Sequence, residues 1–169
     1  MTGSSIGQTT QRGSAVGGSS AARAPDTVRW IRMERALDAS PARVHRAFSD
    51  PGALAEWFPV QVEGSLAPGT RSVLIWPEQR VWWDVLSSEP ERSFRFRWPW
   101  GRDETLQTEV TITLEPRGYG TRLTLTDGPF DLARPGVLDA YADALEGWGE
   151  ALAQLRASVD FSVELRHRR

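Results

Sequence analysis

Few residues in this sequence can do acid–base or nucleophilic chemistry. Only two histidines occur, His45 and His167, and cysteine is absent. Thiolate catalysis, disulfides and Cys-ligated zinc are therefore excluded. His45 falls in a predicted helix, where a surface position is expected. His167 lies in the basic run Arg166-His167-Arg168-Arg169, read as a solvated tail. No His/Asp/Glu cluster has metal-ligand spacing, so no metal site is expected. There is no serine nucleophile elbow and no phosphate-cradling glycine loop; Gly118-Tyr119-Gly120 reads as a hairpin turn. Proton transfer wants a His or a perturbed carboxylate inside a cleft. No catalytic residue and no cofactor are assigned on these grounds.

Tryptophan is what the chain has in quantity: eight of its sixteen aromatic residues, namely Trp30, Trp57, Trp76, Trp82, Trp83, Trp98, Trp100 and Trp148. Each buries roughly 150–250 Å² when packed. Ligand sites are mostly apolar concavities with a few polar groups. The candidate lining from helices is Trp57, Phe58, Tyr141, Leu145 and Trp148. Strands and their ends offer Trp76, Trp83, Phe94, Phe96, Trp98, Ile112 and Phe130. The same set also reads as mostly packed core with a modest cavity, the more ordinary outcome, and both readings stay open. Polar candidates are Asp84, Arg95, Arg97, Tyr119, Arg122 and Tyr141. Strand alternation turns Arg95 and Arg97 away from Phe94 and Phe96, toward solvent or acids such as Glu109. Asp84 is ambiguous, because Trp82 and Trp83 face opposite sides. Tyr141 either orients a polar ligand group or sits in the core with its hydroxyl on a backbone carbonyl.

These residues need elements to hold them. Residues 28–35 mix β-formers with charges and read as a strand. Ser40-Pro41 opens a helix, with Ser40 as N-cap and Pro41 at its first position, and Val44, Ala47 and Phe48 form its apolar stripe. Asp50-Pro51-Gly52 stops it, and Asp50 caps a second short helix through Leu54, Trp57 and Phe58. Strands follow at 71–76, 80–86, 94–98, 110–114 and 123–126, joined by turns at 66–70, 77–79, 89–92 and 118–120, with a loop over 99–104. Pro135 is expected to start a long helix running to about Val159. Tyr141, Leu145, Trp148, Leu152, Leu155 and Val159 recur at spacings of four and three, which makes one stripe. That stripe must bury against the open face of the sheet. Gly147 and Gly149 inside the helix imply either close helix–sheet approach or space left for a ligand.

The order is one strand, two helices, a run of strands and a final long helix, and its motifs carry a resemblance. Ala39-Ser40-Pro41-Ala42-Arg43-Val44, Phe48-Ser49-Asp50-Pro51 and Leu54-Ala55-Glu56-Trp57-Phe58 resemble the helix pair of the activator-of-Hsp90-ATPase-homologue-1-like family. The stretch from Glu89-Pro90 to Phe94-Arg95-Phe96-Arg97-Trp98 is similar to its proline turn and aromatic strand. Residues 109–114 and 120–125 match its paired final strands, and Gly147-Trp148 with Leu152 and Leu155 its helix. The resemblance implies an α+β helix-grip fold (START-like, Bet v 1-like). Such a fold has a curved antiparallel sheet, two short helices and a long C-terminal helix packed across it. It implies a cavity between sheet and helix. One departure is Asp127-Gly128-Pro129-Phe130, where the family often has a His and a bulky group. The Trp76-Pro77 and Trp82-Trp83 pairs imply a smaller or differently shaped pocket.

Function follows from the fold only weakly. Three readings stay open: non-catalytic binding of a small hydrophobic or aromatic ligand, a co-chaperone-like protein-interaction module, and a polyketide cyclase or aromatase. The first ranks highest because the catalytic inventory is thin. A net charge of −2 argues against a nucleic-acid partner. No stretch approaches the roughly 20 apolar residues needed to cross a bilayer, and no secretory signal is recognised. The expected location is cytoplasmic, as a monomer or homodimer. Residues 1–25, rich in Gly, Ser and Thr, are expected to be disordered. A domain over 26–160 and a short basic tail over 161–169 complete the expected organisation.

Overall fold

The computed structural model describes residues 26–100 and 104–163. The expected disordered segment 1–25, the basic end with His167, and the middle of the 99–104 loop lie outside the described residues.

Strand β1 (Val28–Leu37) leads into two short helices, α1 (Pro41–Ser49) and α2 (Pro51–Ala55). Ser40 caps α1 by accepting from the Arg43 amide at 3.3 Å. Asp50 ends α1 and caps α2, accepting from the Ala53 amide at 2.8 Å. Each side-chain cap satisfies a backbone donor that the helix itself leaves free.

Six further strands make a meander: β2 (Gln61–Glu63), β3 (Arg71–Trp76), β4 (Gln79–Glu89), β5 (Ser93–Trp100), β6 (Leu106–Arg117) and β7 (Gly120–Asp131). All pairings are antiparallel, in the order β1-β7-β6-β5-β4-β3-β2, so the first strand closes onto the last. Strand β2 is too short to show alternation, and the sequence does not locate it. Strand β5 runs on through Pro99 and Trp100, where a loop was expected, because Trp100 pairs with Leu106 and its indole donates to Thr108 Oγ1 at 2.9 Å.

Helix α3 (Val137–Phe161) crosses the inner face of the sheet. It begins two residues after Pro135, because Gly136 adopts φ 76° and breaks the helical path. Trp148, Leu152, Leu155 and Val159 are buried as expected, but Leu145 is 38% exposed. The buried face centres on Ala144, Trp148, Leu152 and Leu155, and Leu145 sits about 100° round the helix from Ala144. Beneath α3 the core is aromatic. Trp83 stacks on Phe96 with ring centroids 3.7 Å apart, and Phe48 packs edge-on against Trp57 at 5.2 Å.

Candidate functional site

Where the middle of α3 faces β3, β4 and the end of β5, the sheet and helix leave a groove of about 570 Å³. Period-2 alternation brings Trp98 inward on β5, and the Phe58 backbone after α2 holds Trp76 by accepting from its indole at 3.0 Å. Phe58, Trp76 and Trp100 are half-buried and supply the accessible ring surface. Trp98 and Trp148 form the floor, at 7% and 2% exposure. The walls meet at steep angles: Phe58 and Trp76 at 90° and 5.2 Å, Trp98 and Trp100 at 75° and 4.9 Å. Gly147 and Ala151 leave the helix side nearly bare, and Gln79, Arg80, Glu104, Asp143, Glu150 and Gln154 make the rim.

A buried carboxylate stands behind this floor. Asp127 on β7 is fully buried, and its Oδ2 accepts from Trp148 Nε1 at 2.9 Å. Burial raises its pKa from 3.8 to about 6, against the lowering pull of donors on Thr108, Trp148 and Trp98. Trp98 Nε1 stands near the carboxylate, but neither it nor Asp127 Oδ1 reaches full hydrogen-bond geometry with a partner among the described residues. In the sequence, Asp127 stands out only as a departure from the family pattern. A signal was present: Leu123, Leu125 and Asp127 alternate, which puts all three on the inner face.

Of the sequence-derived candidates, Phe58, Trp76, Trp98 and Trp148 come together in the groove. Trp57, Trp83, Phe94, Phe96, Ile112 and Phe130 are buried core at 1% exposure or less. Tyr141 is half-buried, edge-on to Phe130 at 5.4 Å, and Leu145 turns outward. Among the polar candidates, Asp84 lies on the outer face in a two-pronged pair with Arg71, at 2.6 and 2.8 Å. Arg95 pairs with Glu109, while Tyr119 is fully exposed at the hairpin tip.

His45 is not at the surface. It is 8% exposed, held between Ser49 Oγ at 3.2 Å on Nδ1 and Ser88 Oγ at 3.1 Å on Nε2. It lies next to Val44 on the buried side of α1 and ties that helix to β4. Burial lowers its pKa. At the two glycines of α3, Gly147 and Gly149, an added Cβ would meet nothing within 4 Å, so close helix–sheet approach is not the reason for either.

A second depression, about 820 Å³, lies among α1, α2 and the end of α3. None of its described lining residues is aromatic, and Arg43 there is already held by Ser162 Oγ at 3.0 Å. Among the described residues no group of three or more His, Asp or Glu could hold a metal, and no helix is long and apolar enough to cross a membrane.

A seven-stranded curved antiparallel sheet gripping one long helix, with a groove at their junction, defines a helix-grip domain. The chain belongs to the family described as activator of Hsp90 ATPase homolog 1-like protein, whose profile matches residues 38–160. Protein MLL2253 from Mesorhizobium loti is similar at 26% identity, with a TM-score of 0.70, over 80% of this chain and 99% of that one. DynU16, a protein from the dynemicin biosynthetic locus, is similar at 24% identity and TM-score 0.69, over 85% of this chain but 51% of its own. The Aha1 dimer from Colwellia psychrerythraea shares the fold at 16% identity and TM-score 0.66, over 79% of this chain and 97% of that one. No curated protein matches the chain.

Proposed function

We propose that this chain is a non-catalytic binding protein that takes a small hydrophobic or aromatic molecule into the groove between sheet and α3. The observation that carries the reading is the half-buried ring surface of Phe58, Trp76 and Trp100 around a space of about 570 Å³. That volume falls in the range of roughly 300–1,000 Å³ usual for small-molecule sites. Covering such apolar surface is favourable by about 25 cal/mol per Å². Gly147 keeps the helix side of the groove free of a side chain. A cyclase reading would need Asp127 to reach the ligand, and its complete burial behind Trp148 weighs against that. The cysteine-free composition suits a reducing compartment such as the cytoplasm.

The test is native mass spectrometry of freshly purified protein together with tryptophan-fluorescence titration using 1-naphthol. Saturable quenching is expected, weakened at least tenfold in Gly147→Phe, which fills the groove. Absence of saturable quenching, or a Gly147→Phe protein that binds as well as the wild type, would remove the reading.

A further inference from the structure

We infer that the groove selects an organic cation: an ammonium group carried on an apolar or aromatic body. This rests on the ligand-binding reading above and adds the ligand's charge.

Three carboxylates line the groove, Glu104, Asp143 and Glu150, against one described cation, Arg80. Arg80 is already matched, with its guanidinium 2.6 Å from Glu63 Oε2. Arg71, whose charge reaches Glu104, is held by both oxygens of Asp84. Both of these guanidiniums therefore have a carboxylate of their own, and among the described residues no ion pair holds any of the three groove carboxylates. Glu104 accepts from the neutral Trp82 indole at 2.8 Å. No described ion pair includes Asp143 or Glu150.

The placement of these charges matches the rings. Asp143 and Glu150 are seven residues apart on α3, about 10 Å along one helix face. Gly147 lies between them, so two carboxylates flank a stretch of bare helix that lines the same groove as Phe58, Trp76 and Trp100. Aromatic faces attract cations, and steep-walled aromatic cages are suited to quaternary ammonium groups. The outer face of the sheet already makes this contact internally, with the Arg71 guanidinium 4.3 Å from the Trp82 ring centroid. An anion would meet these carboxylates, and a neutral aromatic would leave them unengaged.

The experiment compares (4-hydroxybenzyl)trimethylammonium with its uncharged carbon isostere, 4-neopentylphenol, by calorimetric titration of the full chain. The cation is expected to bind at least tenfold more tightly. That preference should shrink several-fold in the exposed double variant Asp143→Asn/Glu150→Gln, and again as salt is raised. An isostere that binds as tightly as the cation would overturn the inference, as would an unchanged ratio in the double variant; either result leaves the ligand-binding reading standing. If neither compound nor 1-naphthol binds, both fall together.

Discussion

Trp148 Nε1 donates to Asp127 Oδ2 across 2.9 Å, joining the middle of α3 to the inner face of β7. The contact spans 21 positions in sequence and is fully buried. It fixes the rotamer of an indole that floors the groove, and it helps solvate a carboxylate in an apolar interior. Removing the donor leaves that carboxylate short of a partner. Trp148→Phe should therefore cost about 2–3 kcal/mol at pH 7.5, the range for a lost hydrogen bond to a buried charged group. Denaturant unfolding checks this. In an Asp127→Leu background the same substitution should cost distinctly less; equal costs in both backgrounds would refute the coupling.

Asp127 also sets a pH dependence whose sign is fixed. Its folded pKa, about 6, lies above the unfolded value of 3.8. The unfolded chain thus releases this proton first, and the stabilising contribution is complete below pH 3.8 and lost as pH rises through 6. The loss is about 3 kcal/mol, from a shift of roughly two pK units at 1.36 kcal/mol each. Asp127→Asn cannot ionise. Its stability relative to wild type should improve by about that amount between pH 3.5 and 7.5, read by denaturation at several pH values. A difference that stays flat with pH would contradict the assignment.

His45 works in the opposite direction. Burial lowers its pKa, so the unfolded state binds the extra proton. Its contribution is present above pH 6.5 and is lost as pH falls from there toward the folded value. His45→Gln retains a polar side chain between Ser49 and Ser88 but cannot titrate. The variant should be less sensitive than wild type to acidification below pH 6.5, and NMR titration of the wild-type imidazole should give a value below that of a free histidine. A normal or raised value would overturn the prediction.

Gly147 and Gly149 cost α3 helix propensity with no steric reason, since an added Cβ at either meets nothing within 4 Å. Gly147→Ala and Gly149→Ala should each stabilise by about 0.5–1 kcal/mol. Thermal unfolding of the single and double variants checks this. Destabilisation would refute the absence of a steric role for either glycine.

Asp160 pins the start of α1 to the end of α3. Its Oδ1 accepts from the Asp38 and Ala39 amides at 3.0 and 2.9 Å, and its side chain is 1% exposed. Asp160→Ala leaves both amides unmatched and should cost about 2–4 kcal/mol. Asp160→Asn keeps an acceptor and should cost less. Similar losses in both would point to a role other than these two bonds.

Much of the inner face is legible in the residue pattern. Phe94, Phe96 and Trp98 alternate inward, as do Val110, Ile112 and Leu114, because successive side chains in a strand must point to opposite faces. The same parity points to Asp127, but an acidic residue is seldom fully buried. The expectation of a surface His45 fails for a related reason. The stripe of Val44, Ala47 and Phe48 defines a helix face, and only the approach of Ser88 from β4 shows that the face is wide enough to enclose the imidazole.

The sequence by itself determined most of the strands and helices, though not β2 or the end of β5 at Pro99 and Trp100, and the face that most of them present, since those depend on local periodicity, caps and turn residues. The tertiary structure decided which inward residues are sealed core and which front the groove. Trp83 and Phe96 are packed away while Phe58, Trp76 and Trp100 keep open surface, and Leu145 leaves the stripe altogether. The reason is geometric: periodicity fixes a direction from the backbone, whereas solvent access depends on where α3 crosses the curved sheet and how far it stands from each strand.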